Sequence, residues 1–217
     1  MDEYYRMKHL SPKKDYWEKI YQQNYLEKRG WYEPTPKNSL DLIERSGITK
    51  TDAIIDIGGG DSLLVDHLLR LGYKNITVLD ISQNALENSK KRLGPLAKKV
   101  KWIRTDIIDF HPETTYALWH DRACLHFLTD SKDIDQYRQK VKQGLDMNGT
   151  MIIGTFSQSG PEICSGKAIQ QYSADDLTKL FSQEFILEEK YETPHHTPSM
   201  TLQNYVFCRL KRKTLIT

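Results

Sequence analysis

The stretch Ala53-Ile-Ile-Asp-Ile-Gly-Gly-Gly-Asp61, answered about twenty residues on by Val78-Leu-Asp80, decides how this chain folds. Ala53 to Ile57 is a short apolar run ending in three glycines, the pattern of a strand buried on both faces. From Ser62 to Leu71 the period becomes helical, through Leu63, Leu64, His67, Leu68 and Leu71, and Gly72 stands where a helix-ending C′ residue belongs. Asn75 to Leu79 is a second apolar strand with Asp80 at its carboxyl end. Strand, glycine turn, helix and strand open a doubly wound α/β sheet, whose ligand crevice lies at the strand ends. Gly58, Gly59 and Gly60 let a ligand approach the backbone without a Cβ in the way. A carboxylate at Asp80 is placed to accept hydrogen bonds from two ribose hydroxyls.

Asp56-Ile-Gly-Gly-Gly-Asp61 resembles the first motif of class I S-adenosylmethionine-dependent methyltransferases, an acidic residue followed by G-x-G. Dinucleotide dehydrogenases carry a third glycine three residues after the second, and here that position is Leu63. A carboxylate at Asp56 would repel a pyrophosphate and suits the cationic methionine end of S-adenosylmethionine, which favours that cofactor over NAD. The resemblance implies Asp80 on the ribose with Ile81 beside it, and Asp106 on the adenine with the backbone of Ile107. It also implies Gly58, Gly59 and Gly60 along the methionine end, with Asp56 on the cofactor's amino group or ordering the loop. S-adenosylhomocysteine would be the product.

The 217 residues suit one domain, and the formal net charge of +2 gives no strong signal for nucleic acid or membrane. Apolar runs fall far short of the ~18 residues of a membrane span, and Met1-Asp-Glu-Tyr-Tyr-Arg lacks a secretory signal's apolar core. Three scattered cysteines, Cys124, Cys164 and Cys208, without C-x-x-C spacing, point to a reduced, cytoplasmic protein with no structural metal.

Residues 1–47 read as an N-terminal helical flap and 48–217 as the core of one domain. Pro12 to Lys28 is predicted helical, with Tyr16, Trp17, Ile20, Tyr21 and Tyr25 roughly on one face. Gly30-Trp-Tyr-Glu-Pro-Thr-Pro36 breaks it, and a second helix burying Leu40 and Ile43 follows. Trp17, Tyr21, Trp31 and Tyr32 either pack the flap on the sheet or, as the resemblance implies, close over the cofactor. Tyr16-Trp17, Tyr21, Trp31-Tyr32 and Ser39-Leu40 resemble the entry segment of small methyltransferases, including some that act on protein lysines.

Beyond the first two strands, Ser82 is predicted to cap a helix from Gln83 to Leu93, and Val100 to Arg104 forms a third strand. Tyr116 to Trp119 is predicted to be the fourth strand, beside the first, with His120, Asp121 and Arg122 at its carboxyl end. An Asp-Arg pair there resembles small-molecule thiol methyltransferases and some lysine methyltransferases. The Asn-Pro-Pro-Tyr type motif of nucleic-acid amino methyltransferases is absent, which counts against nucleic-acid substrates. His120 and His126 read either as structural histidines or as groups that take a proton from the acceptor. Arg122 either pairs internally, with Asp121 or another carboxylate, or binds an acidic substrate group.

A helix from Asp133 to Leu145, a turn at Asp146-Met-Asn-Gly149 and a fifth strand from Thr150 to Phe156 come next. The turn-rich segment Ser157 to Lys167 places Cys164 and Ser165 among candidate pocket residues. Ser173 is predicted to cap a helix through Phe181, and Phe185–Glu192 and Gln203–Leu210 to form a closing hairpin. His195-His196 invites a metal reading, but adjacent strand residues point apart and no ligand spacing supports it.

The fold class expected is α/β: a Rossmann-like seven-stranded mixed sheet with helices on both faces and an antiparallel last strand. The function expected is methyl transfer to a small intracellular metabolite by in-line displacement, in a monomer or homodimer. A protein lysine is the alternative acceptor, and a non-catalytic S-adenosylmethionine-binding protein is the alternative of another kind. His120, Asp121, Arg122 and His126 are the catalytic candidates, and Trp17 and Tyr21 join the cofactor set.

Overall fold

The computed structural model describes residues 12–23 and 25–214. Helix α1 (Pro12–Gln23) and a 3₁₀ turn (Leu26–Lys28) stand where one continuous helix is predicted, and α2 (Lys37–Arg45) follows the proline break. The core then runs β1 (Ala53–Ile57), α3 (Leu64–Arg70), β2 (Asn75–Asp80), α4 (Gln83–Leu93), β3 (Val100–Arg104), β4 (Tyr116–Arg122), α5 (Ser131–Gly144) and β5 (Leu145–Phe156). A two-residue hairpin, β6 (Ile163–Cys164) and β7 (Lys167–Ala168), precedes α6 (Ala174–Phe181), β8 (Phe185–His196) and β9 (Leu202–Arg212).

The seven-stranded sheet has the order β3-β2-β1-β4-β5-β9-β8. The first five strands pair in parallel, whereas β9 is antiparallel to β5 and β8 antiparallel to β9. The order reverses between β1 and β4, so the crevice predicted at the ends of those strands is where the fold leaves room.

Period-two alternation divides the core between the two faces. Ile55, Ile57 and Trp119 pack with Tyr137, Val141, Leu177 and Phe181 from α5 and α6. Ile54, Val78, Leu118 and Ile152 pack with Leu42, Ile43, Leu64, Leu68 and Leu86 from α2, α3 and α4. Leu42 takes the buried position in α2 expected of Leu40, which is only half-buried.

Three boundaries differ from the sequence reading. Strand β4 runs on to Arg122, because Trp119, His120, Asp121 and Arg122 all stay in register with β5. Strand β5 starts at Leu145; the partner of Tyr116 is Leu145 and that of Leu118 is Thr150, so Asp146–Gly149 form an irregularity within the strand rather than a turn before it. The closing hairpin extends to His196 and Leu202, which carries His195 into β8. Among the described residues, no helix is long and apolar enough to cross a membrane.

Ser173 caps α6 as expected: its hydroxyl accepts from the Asp176 amide at 3.0 Å and the Asp176 carboxylate returns to the Ser173 amide at 2.8 Å. Ser173→Ala should cost about 1 kcal/mol, a fall of roughly 2–4 °C in Tm for a chain of this size. A thermal melt checks it; an unchanged Tm would show the capping box to be idle.

Candidate active site

Alternation along β4 determines what each side chain of His120-Asp121-Arg122 can do. His120 falls on the face of Leu118 and Asp121 on that of Trp119. His120 sits opposite Asp56 across the β1–β4 pair, and its Nδ1 lies 2.7 Å from Asp56 Oδ1. Its Nε2 lies 2.8 Å from the Ser39 hydroxyl of α2, so a buried Asp56–His120–Ser39 chain crosses the sheet end. Asp121 points the other way. It accepts from the amides of Cys124 and Leu125 and from the Tyr137 hydroxyl at 2.7 Å. Burial pushes its carboxyl up to about 6, against the pull of those three donors.

The glycine turn is shaped by what lies against it. Gly58 and Gly60 have φ of +63° and +54°, the left-handed region that glycine enters freely. A Cβ on Gly60 would lie 2.5 Å from the Tyr21 hydroxyl, and one on Gly58 would lie 2.9 Å from Cys124 Cβ. Gly59 is needed for closeness alone, since its Cβ would run into the Asp56 carboxylate.

The flap is fastened to this turn. Arg29 Nε pairs with Asp61 Oδ2 at 2.9 Å, both side chains buried, and its guanidinium lies over the rings of Tyr21 and Trp31. Glu18 of α1 accepts from Ser82 Oγ at 2.7 Å and from the amides of Gln83 at 2.9 Å and Asn84 at 3.0 Å. A carboxylate at the N-terminus of α4 is favourable against the helix dipole. Burial raises the Glu18 carboxyl, but the hydrogen bonds from Asn84, Ser82 and Gln83 outweigh it and hold the pKa below the usual range. On the other side, the Tyr16 hydroxyl donates to the Ser165 carbonyl and Lys167 sits 4.1 Å from the Tyr16 ring, so the β6–β7 hairpin meets α1 over the crevice.

Two chambers result, sharing Trp17, Tyr21, Gly58, Ala123 and Phe127 as a common wall. The smaller, of about 80 Å³, is lined by Asp80, Ile81, Asp106, Ile107 and Lys13. The larger, of about 230 Å³, is lined by Asp56, Gly58, Gly59, His120 and Arg122 together with Glu33, Ser39, Cys164, Ser165 and Tyr205. The structure therefore brings together Asp56, Gly58, Gly59, Asp80, Ile81, Asp106, Ile107, Trp17, Tyr21, His120 and Arg122, with Gly60 against Tyr21 at the same turn.

Asp121 and His126 lie behind the chambers. His126 is fully buried between Phe127 and Phe156, and burial, with Arg122 nearby, lowers its pKa to about 3. A neutral core imidazole is a poor proton acceptor at ordinary pH. Arg122 pairs not with Asp121 but with Glu33 at 3.2 Å, because alternation sends Asp121 to the opposite face. His195 is tied by Nε2 to the Gly30 carbonyl at 2.7 Å, with Nδ1 3.3 Å from Glu33. Among the described residues, no three His, Cys, Asp or Glu side chains form a metal-binding group.

Asp80 tests whether these residues fit a nucleoside cofactor. It accepts from the Ser82 amide at 2.8 Å, yet burial, with Asp61 and Asp56 close by, pushes its carboxyl up to about 7. A buried carboxylate whose pKa stays raised despite hydrogen bonds from the Ser82 and Gly60 amides matches a ligand that brings hydroxyls. Asp106 caps the 3₁₀ turn at Ile107–Asp109 and pairs with Lys13 at 2.8 Å, so the floor of the smaller chamber is polar at both ends.

Residues 55–151 match a family model described as a methyltransferase domain. The eEF1A lysine and N-terminal methyltransferase of Mus musculus is 27% identical over 154 residues, 67% of this chain and 22% of that protein. N-terminal Xaa-Pro-Lys N-methyltransferase 1-B of Xenopus laevis is 25% identical over 177 residues, 79% of this chain and 78% of its own length. The chain thus spans about a fifth of the length of the eEF1A methyltransferases it matches. In fold, it is similar to a glycopeptide N-methyltransferase solved with S-adenosylhomocysteine, with a TM-score of 0.64 at 14% identity over 84% of this chain and 91% of that one. The glycine turn, the acidic strand end, the reversed sheet order and the family match agree: the chain has the fold of class I S-adenosylmethionine-dependent methyltransferases and carries a match to a methyltransferase domain over residues 55–151.

Proposed function

We propose that the chain methylates a small metabolite seated in the larger chamber. S-adenosylmethionine, when bound, supplies an activated methyl group, so the protein's task is mainly to position and to handle a proton. The observation that carries this reading is the pair of joined chambers, one with the acidic strand ends and one with the Asp56–His120–Ser39 chain. Asp80 accepts from the ribose hydroxyls, Asp106 and the backbone at Ile107 meet the adenine, and Gly58, Gly59 and Gly60 border the methionine end. Trp17, Tyr21 and Phe127 exclude water between the chambers. With Asp56 ionised and accepting from Nδ1–H, His120 Nε2 is left as an acceptor. The acceptor's proton then passes to the Ser39 oxygen as the Ser39 proton moves to Nε2, a relay that Asp56 stabilises. Ile81 completes the wall beside Asp80. The roof over the larger chamber, made by the flap and the β6–β7 hairpin, favours a small acceptor over a folded surface.

A second reading is supported by the relatives, whose names place methylation on protein lysines and N-terminal amines. Isothermal calorimetry with S-adenosylmethionine, S-adenosylhomocysteine and NAD, followed by incubation of cell extract with methyl-labelled cofactor, tests both. Label in the small-molecule fraction supports the metabolite. A discrete labelled protein band would replace it with the second reading, and NAD binding would overturn both.

A further inference from the structure

Two residues that line the larger chamber carry buried donors with no hydrogen-bond partner among the described residues. Arg122 and Tyr205 both line it, and the guanidinium lies 4.8 Å from the Tyr205 ring. Arg122 Nη1 donates to the Trp31 carbonyl at 3.0 Å, but among the described residues its Nε and Nη2 are buried without a hydrogen-bond partner, and so is the Tyr205 hydroxyl. Leaving such groups unpaired is destabilising, the more so when they are charged. Unsatisfied groups of this kind in a native fold call for an explanation. Burial pushes the Tyr205 phenol up, so it stays protonated and available to donate.

Resting on the function proposed above, we infer that the methyl acceptor carries a carboxylate, held by Arg122 and Tyr205. Nε and Nη2 form one edge of the planar guanidinium, the edge that takes both oxygens of a carboxylate side-on. Glu33 does not fill that role. It approaches Nη2 at 3.2 Å without forming a hydrogen bond there, and the same carboxylate oxygen lies 3.3 Å from His195 Nδ1. A phosphate dianion is disfavoured by the same Glu33, which stands against it with no further lysine or arginine lining the chamber among the described residues. Arg122 thus holds the acceptor's acidic end, while its nucleophile reaches the common wall at Ala123 and Phe127.

The test is calorimetry on protein saturated with S-adenosylhomocysteine, titrated with acetate, glycine, succinate, citrate, acetamide and inorganic phosphate. At least one carboxylate should bind and acetamide should not. Arg122→Gln should weaken that binding at least tenfold and Tyr205→Phe several-fold, with affinity for S-adenosylhomocysteine unchanged within twofold in both. Tyr205→Phe removes a single oxygen and carries the test if Arg122→Gln fails to fold. Carboxylates that do not bind, phosphate binding in their place, or variants that bind them like the wild type would each overturn the inference. Failure of S-adenosylhomocysteine itself to bind would instead remove the reading of function, and this inference with it.

Discussion

Asp80→Ala should weaken S-adenosylhomocysteine binding a hundredfold or more while leaving the ligand-free protein close to its original stability. The first part follows from the chemistry of the β2 end. Two ribose hydroxyls donating to an ionised carboxylate are charge-assisted hydrogen bonds, worth about 1.5–3 kcal/mol each. The second part follows from what Asp80 endures without ligand. It is buried near Asp61 and Asp56, which together with burial push its carboxyl up to about 7. Removing it relieves that cost and leaves the Ser82 and Gly60 amides without this acceptor, effects of opposite sign. Calorimetry and a thermal melt on one variant separate the outcomes. Lost binding with a normal melt supports a ligand role, and lost binding with a collapsed melt would reduce Asp80 to a structural group.

The same carboxyl predicts a pH dependence with a definite sign. Its folded pKa of about 7 lies above the ~3.9 of an unfolded aspartate, so the folded ligand-free state holds a proton that the unfolded state has released. That contribution to stability is full below about pH 4 and is lost as pH rises through about 7. Ligand binding runs the other way, because hydroxyl donors prefer the ionised form. Affinity for S-adenosylhomocysteine should be flat above about pH 7 and fall up to tenfold per unit below it. In Asp80→Ala that slope should vanish. A slope that survives would assign the titration to another group.

Much of this site is legible in the sequence, and the limits have physical causes. Asp56, the three glycines and Asp80 sit within a single β-α-β unit, where local pattern and spacing fix position. The Asp56–His120 contact was within reach as well. It needs only the parallel pairing of β1 with β4 and the alternation of a β4 that continues past Trp119. That alternation also separates His120 from Asp121, which the sequence reading had grouped together. Other partnerships join residues far apart in the chain: Glu18 with the α4 N-terminus, Arg29 with Asp61, and Glu33 with both Arg122 and His195. No periodicity encodes those pairings, because the flap's path across the strand ends is settled by tertiary packing. His126 fails as a proton acceptor for a related reason. Its burial between Phe127 and Phe156 depends on how the turn after β4 folds, which neighbouring residues do not reveal.

Gly59→Ala should be damaging to fold and ligand site together. Gly59 does not have a positive φ, so backbone conformation is not the obstacle. The added Cβ would lie 2.9 Å from Val78 Cγ1 and closer still to Asp56 Oδ2. Neither neighbour can yield cheaply. Val78 is a buried β2 side chain, and Asp56 is held 2.7 Å from His120, which is itself bound to Ser39. Overpacking of this kind costs about 1–3 kcal/mol, and displacing Asp56 also uncouples a buried hydrogen-bonded chain. A fall of roughly 2–12 °C in Tm is expected, at about 2–4 °C per kcal/mol. Gly72→Ala is the matched control, since Gly72 has φ of +88° with nothing within 4 Å of its Cβ position. It should carry only the left-handed backbone penalty of about 1–2 kcal/mol and leave S-adenosylhomocysteine affinity unchanged. If Gly59→Ala bound ligand like the Gly72 control, the close approach of the turn to Asp56 would be packing alone. If it lost both stability and affinity, the Asp56–His120 chain would be what holds the turn in its ligand-ready shape.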